Sequence, residues 1–246
     1  MDRSVYVAMT GAKQTMLAQA VTSHNLANVS TTGFRADLAS FQSAPVPGPG
    51  LDSRANAVVV EQSVDFQPGP VITTGRDLDF AVRGRGWIAV QAKDGGEAYT
   101  RAGELHVTDG GLLTTSSGEW VLGNNGPVSV PPFETLEIGN DGTLSIRPVG
   151  QTPSTLAVVD RIKLVKPPEA DLVKGGDGLF RLRDGGNAPV DASVSLVGGA
   201  LEGSNVNSVE AMVTMMELAR QFEMHVQFLK TAEENETAVT QIMRMG

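Results

Sequence analysis

The chain has 246 residues, a formal charge of −9, no Cys, three His and only two Trp, two Tyr and eight Phe. These counts exclude a disulfide framework, a thiolate metal site and a cysteine nucleophile, and they speak against a base-stacking or phosphate-binding surface. Gly and Pro, at 28 and 13 residues, exceed the usual share, while a hydrophobic content of 41% suffices for a buried core.

The first predicted element is a helix over about 3–28, where Gly11 is the lone Gly and Pro is absent. Val5, Ala8, Met9, Ala12, Met16, Ala20 and Leu26 or Ala27 recur at mostly three- and four-residue steps, a narrow stripe of small or flexible side chains. Asn28 stops the helix, and Ser30-Thr31-Thr32-Gly33 reads as a turn. Ala44-Pro45-Val46-Pro47-Gly48-Pro49-Gly50 follows as a linker or extended arm that no helix can cross.

The middle, about 57–203, reads as β. Asp-Gly recurs at 94–95, 109–110, 141–142, 177–178 and 184–185, with Asn125-Gly126 beside them, and such pairs suit tight hairpin turns. Apolar or alternating runs lie between: Leu78–Val82, Trp87–Val90, Leu105–Val107, Trp120–Leu122, Leu144–Ile146, Leu156–Val165 and Val194–Val197. An antiparallel, barrel-like domain is expected.

The last element is the clearest. Val209, Met212, Met216, Ala219, Phe222, Val226, Leu229 and Ala232 keep nearly the coiled-coil spacing, Val239 and Met243 extend the stripe, and Asn207 or Ser208 can cap its start. Neither Gly nor Pro occurs between 204 and 245, so a helix reaching about 60 Å is expected. The fold class is α+β, with N- and C-terminal helices flanking an inserted all-β domain. The expected organisation is 1–44 helix and turn, 45–56 linker, 57–203 β domain and 204–246 helix. Two amphipathic ends need partners, either each other or other chains, and a Met-rich seam favours adaptable packing.

No apolar run approaches the roughly 20 residues of a membrane span, and Met1-Asp2-Arg3-Ser4-Val5 lacks the pattern of a cleaved signal peptide. Gly84-Arg85-Gly86-Trp87-Ile88-Ala89 matches a dinucleotide fingerprint, but the residues after it read as strand, where the fingerprint needs a helix N-terminus. It is read as a β-turn or bulge. The sequons at Asn28 and Asn235 carry little weight. His24, His106 and His225 are scattered, Asp77/Asp79 and Glu233/Glu234 read as solvated pairs, and no G-x-S-x-G elbow occurs. Neither an enzyme nor a cofactor is expected.

Asn25-Leu26-Ala27-Asn28-Val29-Ser30-Thr31-Thr32-Gly33-Phe34-Arg35 closely resembles the N-terminal signature of the flagellar axial proteins, the rod and hook family. Three more blocks are similar to that family. They are Phe66–Pro70 with Thr73–Asp79, Gly84–Trp87 with Ala98–Gly103, and Leu201–Asn207 leading into the last helix. Thr32 stands where many relatives have Pro, and Ala102 where Asn or Asp is frequent. Val121–Val128 and the modest length look most like a proximal-rod member, with a distal-rod or hook-type subunit as the alternative.

The resemblance implies a structural subunit of the basal-body rod, the helical drive shaft between motor and hook. It implies assembly with other rod proteins and with copies of itself, and a periplasmic position. Export would follow the flagellar type III route, unfolded and without signal cleavage. Nucleic acid binding and membrane insertion are not expected. The terminal helices are expected to form a coiled-coil layer around a central channel. The assembly residues are then Val5, Met9, Ala12, Met16, Asn25, Leu26, Asn28, Gly33 and Phe34 in the first arm. In the last helix they are Met212, Met216, Ala219, Phe222, Val226 and Leu229.

Overall fold

A computed structural model describes residues 3–45, 55–148 and 156–245. Met1–Val29, Ala36–Asp65 and Val206–Gly246 form a helical unit, and Ser30–Arg35 with Phe66–Asn205 form a β unit.

In the helical unit, α1 (Arg3–Ala27) packs along α2 (Ser208–Met245). Asn207 caps α2, its Oδ1 accepting from the backbone N–H of Val209 at 3.1 Å and of Glu210 at 3.3 Å. Gly11 sits against the His225 ring. The inward residues of α2 run from Ala211 to Ala232, and every described side chain from Glu233 onward is exposed. This register makes the two helices antiparallel, with α2 continuing past the start of α1. The same unit holds a two-stranded antiparallel ribbon, β1 (Asp37–Pro45) with β2 (Ala55–Val64), which packs against α1.

The β unit is antiparallel at every pairing among the described residues. β3 (Val71–Thr73) and β4 (Phe80–Arg83) precede β5 (Trp87–Gln91), β6 (Glu97–Thr100), β7 (Leu105–Val107), β8 (Leu113–Thr115), β9 (Trp120–Gly123) and β10 (Gly126–Pro127). Then come β11 (Phe133–Ile138), β12 (Thr143–Pro148), β13 (Ala157–Arg161), β14 (Leu164–Val165), β15 (Leu172–Lys174), β16 (Phe180–Leu182), β17 (Ser195–Gly198) and β18 (Ala200–Glu202). The largest sheet has the order β15-β16-β6-β5-β9-β8-β7, with β10 on β9 and β14 on β5. The sets β11-β12-β13, β4-β17 and β3-β18 complete it. Phe80, Ile88, Val90, Leu105, Leu113, Val121, Leu144 and Ile162 fill one core.

The α+β class and the helix, antiparallel β, helix order agree with the sequence reading. The barrel does not: β15 and β7 end the main path without pairing each other among the described residues, so the sheet stays open. The N-terminal boundary also differs from 57, because β2 pairs with β1 and travels with the helices. Pro45, Ala55 and Asn56 of the expected linker are strand residues, whereas 46–54 lie outside the described residues. Trp87–Gln91 is strand, and Gly84 has a φ of +70°, so the glycine-rich motif is a strand-to-strand turn.

Candidate functional site

The expected assembly residues fall into three groups. Val5, Ala12, Leu26, Ala219, Phe222, Val226 and Leu229 are buried or half-buried in the helical unit. The inward face of α2 is Ala211, Met215, Leu218, Phe222, His225, Leu229 and Ala232, which repeats at alternating four- and three-residue steps. Ala8, Ala12, Thr15 and Ala18 are the buried face of α1, and their small side chains permit close approach.

Met9, Met16, Met212 and Met216 form the second group, pointing away from that seam at 54, 57, 52 and 57% exposure. Tyr6 and Leu17 accompany them on α1, and Val209 and Val213 on α2. Each helix thus has two apolar faces, and only one of them is covered. An open groove of about 600 Å³ runs beside Phe222, Val226 and Lys230 of α2.

Asn25, Asn28, Gly33 and Phe34 form the third group, and all have work inside the chain. The Asn25 amide donates to Asp37 O at 2.8 Å and accepts from Asp37 N at 2.9 Å, substituting for a ladder partner at the start of β1. Asn28 Nδ2 donates to His24 O at 2.9 Å and so satisfies a carbonyl of the last turn of α1. Gly33, with φ +69°, lies against the backbone of Arg101 and Ala102. Phe34 is buried, with Lys174 Nζ 4.0 Å from its ring centroid.

Next to Phe34, the β unit holds a charged hub that sequence reasoning missed. The side chains of Arg35, Glu202 and Arg101 are 0, 2 and 4% exposed. Glu202 Oε1 accepts from Arg35 Nη2 at 2.5 Å and from Gly69 N at 3.0 Å, and Oε2 accepts from Arg101 Nη1 at 3.1 Å. The Glu202 carbonyl accepts from Gly33 N at 2.7 Å. Arg101 also donates to Val82 O at 2.9 Å and Gly84 O at 2.5 Å, and stacks over Trp87 at 5.5 Å. Burial pulls the Arg101 guanidinium down to about 10, with Glu202 acting the other way.

Every block that carried the family resemblance therefore sends a residue to one carboxylate or its partners. Gly33 and Arg35 come from the first, Gly69 from the second, Arg101 from the third and Glu202 from the last. The signal available in the sequence was small: Arg35 and Glu202 are the lone charges of the first and last blocks. Nothing in the spacing, however, brings together positions more than a hundred residues apart.

Three family models match the chain. Flagella basal body rod protein matches residues 5–35, the flagellar hook protein FlgE/F/G D1 domain matches 81–146, and the flagellar basal body rod FlgEFG protein C-terminal model matches 197–242. The chain is 42% identical to the flagellar basal-body rod protein FlgF of Salmonella typhimurium and 41% identical to that of Escherichia coli, over the full length of each pair. It is 30% identical to the flagellar basal-body rod protein FlgG of Bacillus subtilis, over 95% of this chain and 96% of the relative. With signature, fold and full-length identity in agreement, the chain belongs to the FlgF family of flagellar basal-body rod proteins.

Proposed function

We propose that this structural rod subunit assembles through its two helices into the proximal part of the drive shaft that carries torque from motor to hook. The observation that carries the reading is the second apolar face, Met9 and Met16 on α1 with Met212 and Met216 on α2, left open by a helix pair already joined along its other side. In this reading the helices form an inner coiled-coil-like layer around a channel. Ala219, Phe222, Val226 and Leu229 keep the pair together, and the open face meets neighbouring subunits. Repeated head-to-tail contacts of this kind build a helix when they do not close into a ring.

The partners are copies of this chain and other rod proteins, FlgG-type subunits among them. Delivery is by the flagellar export apparatus, without cleavage of a signal. No helix among the described residues is long and apolar enough to cross a membrane. FlgG-type subunits share the architecture, but the FlgF relatives above match at higher identity and favour the proximal rod.

Met216→Asp tests the assembly surface. Because Met216 is exposed, the variant keeps its helix content and an intact β unit, while its incorporation into isolated basal bodies falls at least tenfold. Normal incorporation would exclude this face as the assembly surface.

A further inference from the structure

The chain passes between its two units after Val29, Arg35, Asp65 and Asn205. Within the β unit, the segments beside these passages are stapled together. Arg35 and Gly33 bind Glu202, the Phe34 carbonyl accepts from Asn205 N at 3.3 Å, and Asn205 Nδ2 donates to Gln67 O at 3.1 Å. Lys174 Nζ adds a bond to Arg35 O at 2.8 Å.

We propose that Arg35 and Glu202 are positioning residues for assembly: by holding Ser30–Arg35 against the residues that lead into α2, they bring the roots of the two helices together and govern whether α1 and α2 pair. The inference rests on the helices being the assembly surface.

Three observations support it. First, α1 ends and α2 begins about 180 residues apart, so their pairing in an open chain carries the loop-closure entropy of a long segment. Once Arg35 reaches Glu202, only a few residues separate each helix from a fixed point, and pairing becomes a local event at high effective concentration. Second, the fully buried residues on the α1 side of the seam are Ala and Thr, and the α2 side is mostly half-buried. Little apolar area therefore holds the pair without that help. Third, two guanidiniums share one carboxylate, and Nε and Nη1 of Arg35 and Nε of Arg101 have no hydrogen-bond partner among the described residues. Removing the Arg35 charge leaves a one-to-one Glu202–Arg101 pair, so the hub can release the N-terminal segment without stranding a buried charge.

Hydrogen exchange on the full-length chain separates this from a general structural role. In Arg35→Met, the buried-face amides of α1 and α2 should exchange at least tenfold faster, while those of β5 and β6 stay within about twofold of wild type. Glu202→Ala leaves two unpaired buried cations and should accelerate both units. The inference fails if Arg35→Met leaves the helix amides unchanged, or if it quickens helix and β5–β6 amides equally. Loosened helices in Arg35→Met alongside normal incorporation of Met216→Asp would uphold the positioning role and overturn the assembly surface.

Discussion

Gly33 and Gly75 offer a matched pair of perturbations. Their φ values are +69° and +72°, so alanine carries the same left-handed penalty at both, about 1 kcal/mol. Their surroundings differ. Nothing lies within 4 Å of a Cβ at Gly75, whereas a Cβ at Gly33 would fall 2.5 Å from Ala102 N and closer still to the Arg101 carbonyl carbon. Both neighbours are backbone and cannot rotate away. The Gly33 segment must retreat, which loses its 2.7 Å hydrogen bond to the Glu202 carbonyl, about 1 kcal/mol. Displaced packing adds about 1–2 kcal/mol. The expected loss is thus about 3–4 kcal/mol for Gly33→Ala against about 1 kcal/mol for Gly75→Ala. At roughly 3 °C per kcal/mol for a chain of this size, this is about 10 °C against about 3 °C in Tm. Both tryptophans, Trp87 and Trp120, lie in the β unit, so thermal and urea unfolding followed by their fluorescence reports on the affected unit. A difference between the variants below about 1 kcal/mol would refute the close-approach account.

Tyr99 is buried, donates to Glu97 Oε1 at 3.0 Å and accepts from Ala188 N at 2.7 Å. Burial, with Glu97 adding to it, pushes its phenol up to about 12. In Tyr6→Phe, which leaves Tyr99 as the one tyrosine, phenolate absorbance should rise with a midpoint near 12. Because the folded state favours the neutral phenol, the stability it contributes is complete below pH about 10 and is lost as pH rises from there through 12. A midpoint near 10 in the folded protein would contradict the burial. Gly11→Ala should gain helix propensity of about 1 kcal/mol, but its Cβ would meet His225 Cε1 at 2.6 Å. The single change should therefore lower the helix melting temperature, and the same change in a His225→Ala background should raise it. Additive effects by circular dichroism would disprove the register of the helix pair.

The sequence made α2 legible because an uninterrupted apolar periodicity has one reading. The hairpins were legible because Gly95, Gly126, Gly142, Gly178 and Gly185 adopt the positive φ that their Asp-Gly or Asn-Gly pairs imply. At 109–111 the left-handed residue is Gly111 rather than Gly110, a shift that adjacent glycines conceal. Along α2 the stripe through Met212 and Met216 is exposed, whereas the one through Met215 and Leu218 is half-buried. Both stripes are apolar at helical spacing, and periodicity cannot say which one a distant helix covers. Strand β1 escaped notice because Asp37–Pro45 has no alternation strong enough to outweigh the prolines that follow it. Arg35, Arg101 and Glu202 escaped because a charge in sequence reads as surface until its partner is known, and here the partners are set by tertiary folding alone.

The six residues Ser30–Arg35 belong to the β unit although thirty intervening residues separate them from its remainder. This makes the natural cassette for exchanging parts between paralogous axial proteins a discontinuous one. A chimera cut only at 66 and 205 would pair the recipient's Gly33 and Arg35 with a donor's backbone at 101–102 and a donor's carboxylate at 202. Grafting the short insert along with the larger segment keeps each hub whole, so recombinants built on that rule should fold where single-segment swaps fail.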